Sequence, residues 1–202
     1  MTVILLAVGS YVAGSIPTSY LVGRLHGIDL RRHGSGNLGA TNTYRILGPR
    51  AAVPVAIVDV AKGYLPAALF PLWDGSAHAE LALLYGIAAI LGHVWPLFLS
   101  FRGGKGVATG AGVLVALAPL AALIGLLVWI GSVTLTRIVS VASLAAASVV
   151  PVAARVTGES GATVAFCAAV AAFVWWTHRE NVRRLMRGEE NRFSRRPMSR
   201  NS

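Results

Sequence analysis

Residues 107–136 read VATGAGVLVALAPLAALIGLLVWIGSVTLT, an unbroken run with no charged side chain and a single proline, Pro119. A helix needs about 20 apolar residues to cross the hydrocarbon core of a bilayer, so this run exceeds one upright crossing. It predicts either one long tilted helix or two short helices that turn near Pro119. The choice between them decides on which side of the membrane every later segment lies.

The apolar character of this run extends over most of the chain. Hydrophobic residues make up 55% of the 202 residues and charged residues only 13%, with a mean hydropathy of +0.64. This balance is far more apolar than a soluble domain needs for its core. Further candidate spans are residues 3–23, 51–73, 80–100, 138–155 and 161–177. The single cysteine, Cys167, excludes an internal disulfide framework and a multi-cysteine metal site.

The basic residues decide between the two arrangements of residues 107–136. Cytoplasmic loops of membrane proteins carry an excess of Lys and Arg. A single crossing would export the eight arginines between Arg179 and Arg200, whereas a double crossing keeps them in the cytoplasm. We therefore predict an all-α integral membrane protein of about seven transmembrane helices, N-terminus outside and C-terminus cytoplasmic, with some spans short or re-entrant. The net charge of +10 then reflects topology and not nucleic-acid binding.

The chain is predicted to form one polytopic catalytic domain over residues 1–193, followed by a basic tail over residues 194–202. The tail begins Ser194-Arg195-Arg196-Pro197, and its composition predicts a disordered cytoplasmic segment. Its arginines fit orientation and attraction to anionic lipid, while docking of a partner is the alternative. No convincing internal repeat is present, which disfavours an inverted-repeat transporter.

The loop after the first span carries a glycine-rich segment, HGSGNLGATN, over residues 33–42. Its glycines let backbone N–H groups face an anion, and its hydroxyl and amide side chains add donors. The segment matches neither the Walker pattern nor the dinucleotide fingerprint, so an ordinary flexible connection is the alternative to a phosphate site. The candidate residues are Gly34, Ser35, Gly36, Asn37, Gly39, Thr41 and Asn42, with Arg45 as a nearby charged fork.

A second glycine-rich loop, Arg102-Gly103-Gly104-Lys105-Gly106, holds one of only two lysines in the chain. An arginine would serve any purely topological purpose, so Lys105 is a candidate phosphate ligand that acts as a compact point charge. Gly103, Gly104 and Gly106 beside it are candidates for the same anion. A topological marker for a cytoplasmic loop is the alternative interpretation.

Charged residues also lie inside a predicted span. Asp59 and Lys62 are spaced i, i+3 on one helical face, and because burying either alone would be costly, the two are predicted to pair. The pair is either a structural ion pair or part of the polar lining of a site. His93, beside Trp95 and Pro96, is a further candidate for that lining.

The last candidates lie at the cytoplasmic ends of the final spans. Ser140 and Ser143 begin a span, where membrane serines commonly hydrogen-bond their own backbone. His178 and Asn181 are one helical turn apart and can face the same cavity, although a histidine there is also typical of an interface. Because the predicted topology brings these segments to one membrane face, we expect a single site there.

Several of these motifs, in this order, resemble the bacterial membrane acyl-phosphate:glycerol-3-phosphate acyltransferases over nearly the whole chain. The matching stretches are Gly14-Ser15-Ile16-Pro17-Thr18-Ser19-Tyr20, Gly34 to Asn42 with Arg45, Asp59-Val60-Ala61-Lys62-Gly63, Gly92-His93 with Gly103 to Gly106, Ser140 with Ser143, and His178-Arg179-Glu180-Asn181. No His is followed five positions later by Asp, the motif of the soluble-headed glycerolipid acyltransferases, which argues against a His-Asp catalytic pair.

The resemblance implies transfer of a fatty acyl group from acyl phosphate to the 1-hydroxyl of sn-glycerol 3-phosphate, at the cytoplasmic face of the bacterial inner membrane. The products are lysophosphatidic acid and phosphate, and neither a cofactor nor a metal is implied. The expected partners are the two substrates and the lipid bilayer, without nucleic acid; a monomer is compatible with the sequence. The implied catalytic residues are Ser35, Arg45, Lys105, His178 and Asn181.

Within this reaction, the expected roles follow the chemistry of each group. Ser35 and nearby backbone N–H groups would bind the acyl-phosphate head group and the oxyanion, while Arg45 and Lys105 bind phosphate charge. His178 and Asn181 would position glycerol phosphate, and either His178 or a substrate phosphate would take the hydroxyl proton.

The remaining residues and the rival functions make different predictions. The substrate-binding candidates beyond the catalytic set are Gly34, Gly36, Asn37, Gly39, Thr41, Asn42, Gly103, Gly104, Gly106, Ser140, Ser143, His93, Asp59 and Lys62. A covalent acyl-serine mechanism is one rival. A transporter of a small organic anion and a noncatalytic scaffold are the other two, and neither predicts turnover in detergent.

Overall fold

The computed structural model describes residues 1–75 and 79–192, and within these ranges the chain forms ten α-helices, two short 3-10 turns and no β-strand. The predicted tail over residues 194–202 lies outside the described residues. The α-helices are α1 Thr2–Ser15, α2 Thr18–Leu25, α3 Ala40–Leu47, α4 Pro49–Trp73, α5 Ala79–Val94, α6 Val107–Leu117, α7 Pro119–Thr136, α8 Val139–Val156, α9 Gly161–Thr177 and α10 Arg179–Met186. The 3-10 turns are Leu30–Arg32 and Leu97–Leu99.

Five segments in the described part of the chain are long and apolar enough to cross a membrane. They are Thr2–Leu25, Pro49–Trp73, Glu80–Leu99, Pro119–Thr136 and Val139–Val156. The pair α9 and α10, bent by 56° at its junction, provides a sixth if it counts as one span, and α6 is a shorter apolar helix. The all-α membrane architecture agrees with the expectation from sequence, while the count of seven spans and the orientation remain predictions.

The uncharged run over residues 107–136 divides into two helices at Pro119. Proline is well suited to the first turn of a helix because its missing N–H would have no intrahelical partner there. Ala118, with φ −148° and ψ 66°, leaves the helical conformation and separates α6 from α7. At 1.5 Å per residue the 11 residues of α6 extend about 16 Å, roughly half the thickness of a bilayer core. The predicted division into two helices near Pro119 is therefore observed, with α6 as a short helix, while the double crossing of the membrane stays a prediction.

The first span is interrupted at Ile16 and Pro17. Pro17 has no N–H to donate, and Ile16 adopts φ −58° and ψ 114°, so α1 ends at Ser15 and α2 begins at Thr18. The break exposes backbone carbonyl groups inside an apolar segment. Such groups need partners wherever water is excluded, and a lysine side chain supplies one of them, as described below.

The chain divides into two compact units, one formed by Met1–Val113 and the other beginning at Leu114. In the first unit, small residues bring helices into direct backbone contact: a Cβ on Gly14 would overlap the backbone of Ala89, and one on Gly63 would overlap that of Thr109. These glycines allow α1 to pack on α5 and α4 on α6 without intervening side chains. In the second unit α8 packs against both α7 and α9.

Candidate active site

The glycine-rich loop over residues 33–42 is built around one buried amide. Asn42 is 1% exposed, and its Oδ1 accepts a hydrogen bond from the backbone N–H of Ser35 at 2.9 Å. Its Nδ2 donates to the carbonyl oxygens of Leu30 and His33. Asn42 thus ties the loop to itself, which satisfies the amide completely and fixes the loop in one conformation.

Two glycines give this loop its shape. Gly34 and Gly36 have φ values of +62° and +70°, in the left-handed region that favours glycine. A Cβ on Gly34 would also collide with the Asn42 amide oxygen. The resulting turn leaves Ser35 exposed, so its hydroxyl faces outward while its N–H points inward to Asn42.

Several backbone donors of the loop are engaged within it. The N–H of Ser35 bonds Asn42, that of Gly36 bonds the His33 carbonyl oxygen, and that of Gly39 bonds the Asn37 carbonyl oxygen. The idea that nearby N–H groups point at a ligand is therefore not supported at these three positions. The exposed hydroxyl of Ser35 is a donor that the loop presents, while its oxygen accepts from the Asn37 N–H at 3.5 Å.

The basic residues around the loop differ in their surroundings. Arg31 forms a bidentate pair with Asp29, with Nη2 to Oδ2 at 2.7 Å, and this hydrogen-bonded guanidinium lowers the pKa of Asp29 to about 2. Arg31 is therefore neutralised locally. Arg45 lies on α3 four residues after Thr41, so both side chains are on the same face of a helix whose N-terminal end is the glycine-rich loop. Arg45 is therefore the basic residue of the helix that follows the loop of Ser35.

The charged residues inside the membrane form one cluster in the first unit. Lys62 Nζ lies 2.8 Å from Asp59 Oδ1 and donates to the Ile16 carbonyl oxygen at 3.0 Å. His93 Nδ1 lies 3.8 Å from the same Asp59 oxygen. The three side chains are 2–7% exposed, so the predicted pairing of Asp59 with Lys62 is observed in a nearly dry setting. The three side chains line a small pocket together with Ser15, Thr18 and Ser19.

The loop over residues 103–106 folds back onto the end of α5. The N–H groups of Gly103 and Gly104 donate to the carbonyl oxygens of Val94 and His93, at 3.0 and 3.1 Å. A Cβ on Gly104 would collide with His93 Nε2 and with the Leu38 carbonyl oxygen. The two glycine-rich loops therefore meet at Leu38 and Gly104, and Lys105 follows directly, partly buried.

In the second unit, Ser140 and Asn181 both donate hydrogen bonds to the same carboxylate, that of Glu190. Glu190 Oε1 accepts hydrogen bonds from Ser140 Oγ at 2.9 Å and Asn181 Nδ2 at 2.7 Å, while Oε2 accepts from Arg184 Nε at 2.7 Å. Burial raises the pKa of Glu190, but the bonds from Asn181, Arg184 and Ser140 outweigh this and lower it below its ordinary value. The side chain of Glu190 is only 3% exposed.

His178 and Ser143 have partners of their own in this unit. His178 is 4% exposed at the junction of α9 and α10, and its Nδ1 lies 2.8 Å from the Val174 carbonyl oxygen. A carbonyl can only accept, so Nδ1 carries the hydrogen and Nε2 is the basic nitrogen of the neutral ring. Ser143 Oγ accepts a hydrogen bond from Trp129 Nε1 at 3.3 Å, apart from the Glu190 contacts.

The structure adds residues that the sequence interpretation did not select. Glu190 is not among the residues predicted from the sequence, although a carboxylate among arginines indicates pairing. Ser15, Thr18 and Ser19 were recognised only as part of a matching stretch. Their signal was a run of hydroxyl side chains around Pro17 inside an otherwise apolar span.

The comparisons with known proteins agree on one family. The family described as Glycerol-3-phosphate acyltransferase matches residues 4–188. A glycerol-3-phosphate acyltransferase from Geotalea daltonii is 41% identical over 95% of this chain and 98% of its own length. A glycerol-3-phosphate acyltransferase from Desulforudis audaxviator is 45% identical over 95% of this chain and 96% of its own length.

The fold is also similar to that of a solved membrane protein. A crystal structure of PlsY (YgiH), an integral membrane glycerol 3-phosphate acyltransferase in its glycerol 3-phosphate form, matches with a TM-score of 0.90 and 37% identity. The match covers 96% of both chains. The lysophosphatidic acid form of the same enzyme gives a TM-score of 0.88 and 36% identity.

Proposed function

This chain belongs to the glycerol-3-phosphate acyltransferase family and transfers an acyl group to glycerol 3-phosphate in phospholipid synthesis, and we propose that its donor is an acyl phosphate. The 1-hydroxyl oxygen attacks the acyl carbonyl carbon and forms the ester bond. The bond from that carbon to the phosphate oxygen breaks, and inorganic phosphate leaves. The hydroxyl proton passes to His178 or to a phosphate oxygen, and lysophosphatidic acid remains.

The observation that carries this proposal is the meeting of the two glycine-rich loops in the first unit. The contact of Leu38 with Gly104 brings the segment that presents Ser35 next to the segment that presents Lys105. Arg45 stands on the helix that continues the first loop. A hydroxyl and two cations on adjoining loops suit an acyl phosphate head group, because its charge and its departing phosphate need the same donors.

The second unit supplies groups suited to the acceptor substrate. His178 has its basic Nε2 set by the bond from Nδ1 to Val174, the orientation that a general base needs. We assign Asn181, Ser140 and Ser143 to positioning of glycerol 3-phosphate. In the described structure Asn181 and Ser140 donate to Glu190, so these amide and hydroxyl donors are already arranged around a negatively charged group.

Direct transfer fits this chemistry better than an acyl-serine intermediate. Acyl phosphate is a mixed anhydride whose phosphate leaves readily, so a covalent nucleophile adds no driving force. In the described part of the chain the Ser35 hydroxyl bonds no histidine or carboxylate, its oxygen accepting only from the Asn37 N–H at 3.5 Å, and an activated serine needs such a base. Isolation of an acyl adduct on Ser35 would overturn direct transfer.

The proposed location is the bacterial inner membrane, with the site on the cytoplasmic side. There the water-soluble glycerol 3-phosphate is available, and the acyl chain can stay in the bilayer.

Asn42 contributes to the proposed site indirectly, because it holds the loop that presents Ser35 in one conformation. Gly34 and Gly36 allow the turns of that loop.

The experiment that tests this proposal is turnover in detergent by the purified protein and two charge variants. With glycerol 3-phosphate and palmitoyl phosphate, Lys105→Ala should lower turnover by about 10²–10³-fold, the loss typical of a missing transition-state donor. Arg50→Ala removes an exposed cation of the same unit and should leave turnover unchanged. Equal rates for Lys105→Ala and wild type would remove Lys105 from the site, and no turnover by folded wild-type protein would overturn acyl phosphate as the donor.

A further inference from the structure

The cluster of Asp59, Lys62 and His93 lies where separate segments of the first unit meet. Asp59 and Lys62 are on α4, His93 is on α5, and the Ile16 carbonyl oxygen belongs to the break in the first span. The loop that carries Lys105 packs on His93. One buried network therefore touches both the span break and the second glycine-rich loop.

The cluster is not arranged as a phosphate ligand. Lys62 is 6% exposed, and its ammonium group is already bonded to Asp59 and to the Ile16 carbonyl oxygen. Asp59 neutralises the charge of Lys62, so the pair offers no net attraction to an anion. A direct substrate contact, one of the two interpretations that the sequence left open, is thus the less favoured of them.

His93 joins this network to the second loop. Its carbonyl oxygen accepts from Gly104 N–H at 3.1 Å, and its Nε2 occupies the space where a Cβ on Gly104 would lie. Its Nδ1 faces Asp59, which Lys62 holds in place. The ring is 7% exposed and has α4 on one side and the loop on the other. The ring therefore packs directly against Gly104, the residue before Lys105, and its loss would leave that space empty.

We propose that His93 is a positioning residue: held by Asp59 and Lys62, it sets the place of Lys105 and thereby the affinity for substrate phosphate without touching the substrate. This inference rests on the proposed function, in which Lys105 binds phosphate. It also accounts for an ionic cluster in an apolar span. Buried ion pairs contribute little net stability compared with apolar packing, so a role in fixing one geometry gives a reason for their presence.

The test measures the affinity for palmitoyl phosphate, the donor whose phosphate Lys105 is proposed to bind, from its effect on thermal unfolding in detergent, together with KM for this donor and kcat. His93→Ala should weaken binding and raise KM about tenfold in the wild-type background, a coupling typical of residues in contact. In the Lys105→Ala background the same change should weaken binding less than twofold, because the group that it positions is gone. A loss of stability alone would lower the amount of active enzyme and leave KM unchanged.

Conservative variants distinguish the contact of Nε2 with Gly104 from the contact of Nδ1 with Asp59. The side-chain amide nitrogen of glutamine lies about as far from Cα as Nε2 of histidine does. The amide nitrogen of asparagine lies only about as far from Cα as Nδ1 of histidine. His93→Gln should therefore restore most of the affinity by filling the space beside Gly104, and His93→Asn should not. His26→Ala, at an exposed histidine of the same unit, is the matched control and should leave KM unchanged.

Each remaining outcome counts against a different statement. Equal weakening by His93→Ala with and without Lys105 would overturn the positioning role and leave the proposed function standing. Unchanged binding in Lys105→Ala alone would overturn the phosphate role of Lys105 and the positioning role with it. If His93→Ala does not fold, His93→Asn takes its place, because it shortens the side chain beside Gly104 and should weaken binding only where Lys105 is present.

Discussion

Asp59 and Glu190 are both almost fully buried carboxylates, but the two units of the molecule satisfy them differently. Asp59 lies inside a span and is paired with one buried lysine, whose ammonium group also bonds a main-chain carbonyl oxygen. Glu190 lies beyond α10 and accepts from a serine, an asparagine and an arginine whose side chain is 35% exposed. The first carboxylate depends on one charge, and the second spreads its charge over three donors.

This difference determines how much stability each region should lose when one partner of its carboxylate is removed. Where a single buried partner balances a buried charge, removing the partner leaves that charge with no compensation. Where several donors share the charge, and one of them reaches water, the loss of one donor is partly replaced. The variants below compare the two regions, from the largest expected effect to the smallest.

Lys62→Met should have the largest effect on stability. It leaves Asp59 charged and buried without its ammonium partner, which costs about 3–5 kcal/mol of unfolding free energy. Reversible unfolding of the detergent-solubilised protein would measure the loss. The double variant Asp59→Leu/Lys62→Met removes both charges and should recover most of it. If the double variant were as unstable as the single one, uncompensated charge would not be the cause.

Glu190→Gln should have an intermediate effect. Glutamine keeps an acceptor oxygen but loses the charge that three donors share, and hydrogen bonds to charged groups contribute about 1.5–3 kcal/mol each, part of which the amide retains. We expect Glu190→Gln to lower the free energy of unfolding by less than Lys62→Met does in the same assay. Arg184→Ala, which removes only the most exposed donor, is the matched comparison and should cost less than Glu190→Gln.

The effect of Glu190 should also depend on pH. Its pKa in the folded protein lies below the ordinary value of a glutamate, about 4.3. The stability that the charged form adds is therefore fully present above that value and is lost as pH falls through the folded pKa. The difference between wild type and Glu190→Gln should be constant at pH 6–8 and shrink below about pH 4. A difference that grew on acidification would contradict the assigned charge state.

Glu180→Gln should have the smallest effect. Glu180 pairs with Arg183 at 2.7 Å, but both side chains are more than half exposed, and such pairs contribute about 0–1 kcal/mol. The unfolding midpoint should shift little, and any shift should disappear in high salt. A loss as large as that of Glu190→Gln would show that exposure does not set the ranking.

Parts of this structure could be predicted because local chemistry determines them. Pro119 divides the long uncharged run because proline favours the first turn of a helix, and Asp59 pairs with Lys62 because their spacing puts both on one face. The family resemblance, which several separated motifs supported, is confirmed by relatives with more than 40% identity.

Other parts depend on contacts that no local pattern encodes. The amide of Asn42 was expected at the substrate, yet its bonds to Leu30, His33 and Ser35 arise from the way the loop closes on itself. Glu190 binds Ser140, fifty positions earlier in the chain, so its role follows from tertiary packing. The seven-span count and the orientation depend on a bilayer and stay predictions.

The central claim, an acyl phosphate donor for a site built on two glycine-rich loops, is tested most directly by donor choice. Purified protein in detergent would receive glycerol 3-phosphate with either palmitoyl phosphate or palmitoyl coenzyme A, without added metal, and lysophosphatidic acid would be measured. We expect product and an equal amount of released phosphate with palmitoyl phosphate only. Product from palmitoyl coenzyme A at a similar rate, or none from palmitoyl phosphate, would contradict the claim.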